Sequence, residues 1–348
     1  MIADATRLSV YFGEAITAGP ALASDALMAG FAARGVTTAT LLRGIEGFGL
    51  NRRIHAERFP DVSTDLPLLA VALDTRERIG ASLADVDRAV SQGLVTLEPV
   101  RLATGADVAE ADFPAGLGAA GQLTVTCGSG ERAGRRPAYR AVVALLRRCG
   151  TTGATVLPGV DGLLRGRRRR ARLFATNAST PMTIVSLGAP DRLRRALPEL
   201  VQLLGEPVVT LERIARLDRY RGARPEPLPR AAQPGVFQAI GVFARRSTHV
   251  DGRALHSELV RCLREAGAAG ATTILGDWGF ALEERPFGDR LGRAMSHRPT
   301  YTVYVDRPEQ VAAVWPLLDE LIAGRAIVTS HFVPGYRELA RPQLQGGR

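Results

Sequence analysis

The residues best suited to chemistry near the start of the chain are positions 43–49, Arg-Gly-Ile-Glu-Gly-Phe-Gly, where one arginine precedes three closely spaced glycines. Closely spaced glycines let backbone N–H groups approach an anion, and an arginine guanidinium binds phosphate through two parallel hydrogen bonds. The residue types therefore indicate anion binding. The spacing differs from the Gly-x-Gly-x-x-Gly dinucleotide loop, and a Walker loop is excluded because all 45 basic residues are arginine.

The sequence carries no pattern typical of an enzyme or of a metal centre. Ser129 lies between two glycines but lacks the strand, sharp turn and helix of a nucleophile elbow, so we expect no catalytic residues. His55 is interpreted as a hydrogen-bonding loop residue. The other histidines lie in different predicted elements without metal-ligand spacing; they are His249, His256, His297 and His331. The cysteines are odd in number and far apart, which favours buried thiols; they are Cys127, Cys149 and Cys262.

Composition is that of an ordinary globular protein of two or three domains. Hydrophobic residues make up 46% of the 348 positions and charged residues 23%. No run of about 18 apolar residues occurs, and the first residues carry neither a basic leader nor a long apolar segment. We therefore expect no membrane span and a cytoplasmic location.

The glycine-rich stretch belongs to a motif that occurs three times. Residues 35–47, GVTTATLLRGIEG, return as GTTGATVLPGVDG at 150–162 and as GAAGATTILGDWG at 267–279. The offsets are 115 and 117 residues, and the glycines and the Ala-Thr pair stay in register. Three matches in register indicate an internal repeat.

The elements around each copy of the motif predict the same order. An alternating strand, a helix that ends at a glycine, the motif strand, a polar loop, a third strand, a second helix and a last strand follow one another in each copy. This β-α-β-β-α-β order predicts an α+β fold of three tandem ferredoxin-like units. The predicted repeats are residues 1–103, 122–217 and 236–335, joined by linkers 104–121 and 218–235 and followed by a tail, 336–348.

The first copy resembles a known family. Its Arg-Gly-x-x-Gly-Phe-Gly stretch, the loop with Asn51, Arg52 and His55, and the Asp-Leu-Pro at the start of the third strand are similar to PII-like proteins of the domain-of-unknown-function-190 family. That family is similar to PII signalling proteins and to CutA, which are trimers of ferredoxin-like subunits. The resemblance implies that this chain folds as an intramolecular PII/CutA-like pseudo-trimer.

The resemblance also implies a ligand and a partner. PII relatives bind adenine nucleotides (ATP, ADP or AMP) in clefts between subunits and regulate a partner, and the resemblance implies a membrane transporter or channel or another regulated protein as the partner here. Metal binding as in CutA is a weaker alternative, for which we assign no residues. Carried over to this sequence, the ligand-binding residues are those at the end of the second strand, in the following loop, and around the last strand: Arg43, Gly44, Gly47, Phe48, Gly49, Arg52, His55, Gln92, Gly93 and Arg101.

The other two copies depart from this pattern. Pro158 and Leu275 stand where the first copy has Arg43, and Gly-Phe-Gly becomes Gly-Leu-Leu in the second copy. We therefore expect at most one cleft close to the family pattern.

The second copy is the most basic part of the chain. Residues 122–217 hold 17 arginines against 6 acidic residues, and six of those arginines fall within residues 165–172. Such a tract suits an acidic protein or an anionic membrane, so a non-catalytic adaptor without nucleotide binding is the alternative function. A solvated loop without a partner is equally compatible, and nucleic acid is disfavoured because no aromatic residues interleave with the tract. The predicted partner-binding residues are Arg165, Arg167, Arg168, Arg169, Arg170 and Arg172.

Overall fold

The computed structural model describes residues 1–57, 65–116, 118–170, 180–220, 223–229, 235–281, 285–288 and 297–339, the last four of these by their backbone only. Within these residues the chain forms three repeated units, mostly antiparallel sheet, with seven α-helices. No helix in this part of the chain is both long and apolar enough to cross a bilayer. Of the predicted segments, Arg172, parts of both linkers, and residues 340–348 of the tail lie outside the described residues.

Repeat 1 follows the predicted order with two short hairpin strands and one loop strand added. Its second helix starts where the Thr75 hydroxyl accepts a hydrogen bond from the Arg78 N–H (3.4 Å). The elements are β1 (Ile2–Gly13), β2 (Thr17–Ala18), β3 (Ala21–Leu22), α1 (Ala23–Ala33), β4 (Thr38–Phe48), β5 (His55–Ala56), β6 (Pro67–Thr75), α2 (Arg76–Ala89) and β7 (Gly93–Thr104).

Repeat 2 begins after a 3-10 helix at Gly105–Glu110, inside the predicted first linker. Its first helix buries apolar residues at helical spacing and stops before Gly150, whose φ of +73° suits only glycine well. The elements are β8 (Ala120–Gly128), β9 (Arg132–Ala133), β10 (Arg136–Pro137), α3 (Ala138–Arg148), β11 (Gly153–Leu164), β12 (Arg167–Arg170), β13 (Pro181–Gly188), α4 (Pro190–Arg194), α5 (Leu197–Leu204) and β14 (Val208–Arg216).

One helix of repeat 2 differs from the prediction. The sequence pattern predicts a single helix over 189–205, but the structure has α4 and α5 with a turn at Arg195 and Ala196. Pro198 lies in the first turn of α5, where its missing N–H costs no helical hydrogen bond. Had the helix run through from α4, that N–H would have been required.

Repeat 3 repeats the order once more. Its second strand is interrupted at Gly276 and Asp277, whose N–H groups donate to Pro299 and Val156 carbonyls (both 2.8 Å). The elements are β15 (Val236–Arg245), β16 (His249–Val250), β17 (Arg253–Ala254), α6 (Leu255–Glu265), β18 (Ala271–Leu275), β19 (Trp278–Ala281), β20 (Phe287–Gly288), β21 (Pro299–Asp306), α7 (Pro308–Ile322) and β22 (Ile327–Leu339).

The three repeats share one strand order and are joined edge to edge. In repeat 1 the order is β7-β1-β6-β4, and repeats 2 and 3 have β14-β8-β13-β11 and β22-β15-β21-β18. Strand β4 pairs with β11 of repeat 2 and with β18 of repeat 3, and β11 pairs with β19. The last strands β7, β14 and β22 pair with one another. Every repeat thus hydrogen-bonds to both others through its second and last strands.

The four largest apolar clusters among the described residues are one core under the helices of each repeat and one shared core between the sheets. The helix-side cores are centred on Phe31 in repeat 1, Leu146 in repeat 2 and Leu259 in repeat 3. A fourth cluster takes Leu69, Val185 and other buried residues from all three repeats. The sheet faces turned away from the helices are therefore covered by the neighbouring repeats.

Equivalent positions make a different contact at each boundary between repeats. Between repeats 1 and 3, the Ser257 hydroxyl of α6 donates to the Glu46 carboxylate of β4 (2.5 Å). Between repeats 2 and 1, Arg168 donates to Asp161 of β11 (2.6 Å) and to Asp25 of α1 (3.2 Å). The boundary between repeats 3 and 2 instead places the Arg140 guanidinium of α3 over the Trp278 ring of β19, 4.5 Å from its centroid.

Candidate functional site

A cavity of about 460 Å³ lies between repeats 1 and 3, and we call it the open cleft. Repeat 1 contributes the ends of β1 and β4 and the turn before β7, and repeat 3 contributes the start of β18 together with Val303 and Val305 of β21. Its volume falls within the range of small-molecule sites, about 300–1,000 Å³. Backbone and side chains of two repeats therefore converge on one concave site.

Glycine allows the strands to approach one another at the open cleft. A Cβ on Gly47 would lie 2.3 Å from the Ala271 carbonyl oxygen across the boundary with repeat 3. A Cβ on Gly93 would lie 2.0 Å from the Tyr11 carbonyl oxygen, and Gly93 has a φ of +151°. Both positions thus require glycine, because a backbone atom occupies the space of any side chain.

Six of the ten ligand-binding residues predicted from the sequence line the open cleft. They come from the end of β4, the short strand after it and the turn before β7, which the fold brings to one boundary: Gly47, Phe48, Gly49, His55, Gln92 and Gly93. Their role in binding a ligand stays a prediction.

The other four predicted residues do not line the cleft. Arg43 donates to the Glu14 carboxylate (3.0 Å) and lies 4.0 Å from Glu57. Arg52 donates to the Gly267 carbonyl (3.2 Å), which ties the loop after β4 to repeat 3. Gly44 packs against Pro67, and Arg101 pairs with Asp4 (3.4 Å).

The titratable side chains among the described lining residues that can carry charge near neutral pH are His55 and Asp65. The His55 Nε2 atom lies 3.8 Å from the Asp65 carboxylate, which also accepts a hydrogen bond from the Ala15 N–H (3.0 Å). Asp65 is the first residue of the Asp-Leu-Pro motif, yet the sequence did not assign it to the site. The repeat 3 wall, with Gly270 and Thr272, was also missed, because no local pattern tells which repeat faces the end of β4.

The equivalent cleft between repeats 3 and 2 is nearly filled, and we call it the filled cleft. It encloses about 40 Å³. Arg245 stands at the position of Gly13, and its guanidinium lies over the Phe287 ring, 4.3 Å from the centroid. Arg325, at the position of Gln92, also lines it. Large side chains therefore occupy the space that repeat 1 leaves empty.

The boundary between repeats 2 and 1 is closed by another arginine. Leu164 is buried at the position of Gly49. The next residue, Arg165, donates to the Glu206 carbonyl (2.8 Å) and to the Glu131 carboxylate (2.9 Å). Glu206 is the counterpart of Gln92, so Arg165 bridges two walls that are separate in the open cleft.

Residues 167–170 of the arginine tract form a strand of a β-hairpin. Strand β12 pairs with the end of β11, and its alternate side chains Arg168 and Arg170 form ion pairs with Asp25 of repeat 1 (3.2 and 3.1 Å). The side chains of Arg167 and Arg169 are exposed and make no hydrogen bond or ion pair with any described residue. Half of this strand therefore joins two repeats, and partner binding by the tract stays a prediction.

A buried charge cluster, the axial cluster, lies where the three last strands meet. Glu98, Glu212 and His331 occupy equivalent positions in β7, β14 and β22, and their donor atoms lie within 4.8 Å of one another. Such a set suits a metal ion, but the Arg7 guanidinium already donates to Glu212 (2.6 Å) and to Glu98. An arginine side chain therefore supplies the positive charge here.

The axial cluster shifts the ionisation of its members. Burial alone would raise the pKa of Glu98, but the charge of Arg7 and the hydrogen bond with His331 (3.2 Å) outweigh it and lower the pKa to about 2. The pKa of Arg7 is raised, because the two carboxylates outweigh the cost of burying the guanidinium. Glu98 and Arg7 are thus both charged near neutral pH.

Comparison with known families gives one match, repeated along the chain. The model of the family DUF190, described as an uncharacterized ACR, matches residues 5–102, 120–216 and 237–334. Each match covers one β-α-β-β-α-β repeat from its first strand to its last.

Proposed function

The chain belongs to the DUF190 family in three tandem copies, and from that premise we propose that it is a non-catalytic regulatory protein of the PII type. Each repeat is then a ferredoxin-like unit, and the three form a pseudo-trimer within one polypeptide. The shared strand order, with the last strand beside the first and the first beside the third, supports this proposal, as does the pairing of second and last strands between repeats.

The proposed ligand is an adenine nucleotide in the open cleft. The single observation that carries this proposal is the 460 Å³ cavity at a boundary between repeats, lined by the end of the second strand and the turn before the last. These are the segments that PII relatives, to which the sequence is similar, use for nucleotides. The proposed output is the regulation of a membrane transporter or channel, which rests on the resemblance alone.

Calorimetric titration tests the ligand. Purified protein is titrated with ATP, ADP, AMP and cyclic AMP, and we expect one site per chain, because the filled cleft encloses about 40 Å³ and Arg165 bridges the walls of the third boundary. As a matched pair, Gly49→Trp places a side chain in the open cleft, while Ala281→Trp changes the equivalent residue of the filled cleft. Loss of heat in the first and not the second supports the site. No heat with any nucleotide rejects nucleotide sensing.

A second candidate function is an adaptor that binds an acidic surface through repeat 2. The observation that favours it is the pair Arg167 and Arg169, exposed on one side of β12 without a partner among the described residues. Binding to polyglutamate peptide and to phosphatidylserine vesicles is compared between wild type, the R167Q/R169Q variant and a control variant, R53Q/R76Q, in repeat 1. The adaptor predicts loss in the first variant only, and equal binding by all three proteins rejects it.

A further inference from the structure

Strand β22 ends beside the open cleft. Its last described residue, Leu339, pairs with Gly93, the first residue of β7. A few residues earlier, Gly335 lies against the ring of Phe237, and Phe237 and Gly93 both line the cleft. The two strands are antiparallel, so the chain that follows Leu339 is directed towards Gln92, another lining residue. The residues after β22 therefore start at the wall of the open cleft.

At both other boundaries, the segment that follows the last strand packs in the corresponding place. After β14, Tyr220 lines the filled cleft. After β7, the Gly105 N–H donates to the Pro207 carbonyl (2.9 Å), and the 3-10 helix that begins there packs against α5. Pro207 is the counterpart of Gly93, which pairs with Leu339. The repeat architecture thus favours the open cleft as the place of the residues after β22.

The residues that follow β22 have a length and a composition that suit this cleft. Residues 340–348 read Ala-Arg-Pro-Gln-Leu-Gln-Gly-Gly-Arg. At up to about 3.3 Å per residue they can extend about 30 Å, enough to cross a cavity of this size. The Phe237 ring is one of several apolar side chains in the cleft that Leu344 can contact. Asp65 places a carboxylate in the same space, and an arginine such as Arg341 pairs well with a carboxylate.

From these observations we infer that residues 340–348 fold back into the open cleft of their own chain and occupy it until a ligand displaces them. The cleft is thus a docking site for a segment of this protein. A ligand of the cleft then binds with an apparent affinity reduced by the fraction of molecules in which the segment is docked. The inference goes beyond the proposed function, because the docking itself involves no nucleotide.

Two full-length variants test the docking. R341S/L344S removes the charged and the apolar side chain that the cleft is expected to contact. Q343S/Q345S is the matched control, with two substitutions by the same residue in the same segment. Neither variant changes a described residue of the cleft, so the wall of the site stays intact.

The measurement is amide hydrogen exchange, followed by mass spectrometry on the full chain without nucleotide. In R341S/L344S, the cleft residues 49–51 and 91–93 should exchange about five-fold faster than in the wild type, because the segment no longer covers them. The Q343S/Q345S control should exchange like the wild type. Residues 278–281, at the filled cleft, should exchange equally in all three proteins.

Three results would overturn the inference. The first is equal exchange at residues 49–51 and 91–93 in all three proteins. The second is faster exchange at residues 278–281 as well, which would show general destabilisation. The third is protection that grows with protein concentration, which would assign the cleft to a segment from a second copy of the chain.

The exchange result is independent of the proposed function, because no nucleotide is present. If the wild type binds a nucleotide in the calorimetric titration, R341S/L344S should bind it about five-fold more tightly, and an equal affinity would overturn the displacement by ligand. If no nucleotide binds to any of the three proteins, the proposed function falls, while the exchange measurement still decides whether residues 340–348 dock in the cleft.

Discussion

The open cleft between repeats 1 and 3 and the filled cleft between repeats 3 and 2 are built from equivalent strands, yet they enclose about 460 and about 40 Å³. Both depend on a glycine whose Cβ would meet a backbone carbonyl of the next repeat, at 2.3 Å for Gly47 and at 2.4 Å for Gly279. The backbones therefore approach equally closely at both boundaries. Side chains, above all Arg245 in place of Gly13, occupy space in the filled cleft that is empty in the open cleft.

The comparison shows how a repeated chain can keep its architecture while limiting its sites. In a trimer of identical subunits, all clefts carry the same residues. Here each boundary has its own set, so a ligand site can persist at one boundary while the others are filled by arginine side chains that also stabilise the fold.

The largest effect is expected at the axial cluster, where all three repeats meet. Arg7→Met leaves two buried carboxylates without their cation and should cost about 3–5 kcal/mol of unfolding free energy. Denaturant unfolding measures the loss. Adding E98Q and E212Q to the variant should restore most of the stability, and failure to do so would show that Arg7 acts through packing.

The same variant should reverse a pH dependence. In the wild type the pKa of Glu98 is about 2, below its unfolded value, so this residue stabilises the fold above the unfolded pKa and the effect is lost as pH falls towards 2. Without Arg7, we expect burial and the neighbouring carboxylate of Glu212 to outweigh the effect of His331 and to raise the pKa of Glu98 above its unfolded value. Stability of the variant should then rise as pH falls from 7 to 4.

A smaller and equal loss is expected when either boundary glycine is replaced. Gly47→Ala and Gly279→Ala each place a Cβ against a carbonyl oxygen and should each cost about 2–3 kcal/mol of unfolding free energy. Thermal unfolding compares the two. A loss at only one position would contradict the view that the two boundaries share one backbone geometry.

Filling the open cleft should affect binding without affecting stability. A Cβ on Gly49 meets no atom within 4 Å, so Gly49→Leu introduces the side chain found at Leu164 without a clash. Nucleotide affinity should fall at least 30-fold, about 2 kcal/mol. Gly80→Leu, at an equally unobstructed helix position away from the cleft, is the control. An unchanged affinity would place the ligand elsewhere.

The smallest effect is expected from opening the filled cleft. Arg245→Gly removes the contact with Phe287 and should cost about 1 kcal/mol. If side chains alone close this cleft, calorimetry should detect a second, weak ligand site. The exposed residue Arg253 provides a matched change, Arg253→Gly, that should produce no such site.

The sequence predicts the repeated architecture well because that signal is periodic and occurs three times. The family match confirms the three tandem copies. The broken helix at 189–205 was missed because apolar spacing continues across Pro198, and only the local backbone shows where the helix restarts. The axial cluster could have been suspected from three aligned tetrapeptides, Val-Thr-Leu-Glu at 95–98, Val-Thr-Leu-Glu at 209–212 and Val-Thr-Ser-His at 328–331. Its counterion Arg7, however, occurs in one repeat only.

The cleft could be predicted only on the side that one repeat supplies. Residues of repeat 1 such as Phe48 and Gln92 follow from the motif. Thr272 lines the cleft because repeat 3 packs against repeat 1, and no local sequence pattern predicts that contact. Arg165 and Arg168 illustrate the same limit. Their clustering indicates a free basic surface, but carboxylates distant in sequence bind both.

The contacts at the three boundaries also bear on which repeats can stand beside one another. Two copies of repeat 1 side by side would place Glu46 against Asp25, two carboxylates, and two copies of repeat 3 would place Trp278 against Ser257. The native arrangement instead pairs Glu46 with Ser257 and Trp278 with Arg140. Assemblies that place two copies of one repeat together are therefore disfavoured, and a composition of one copy of each repeat is favoured by these side-chain contacts.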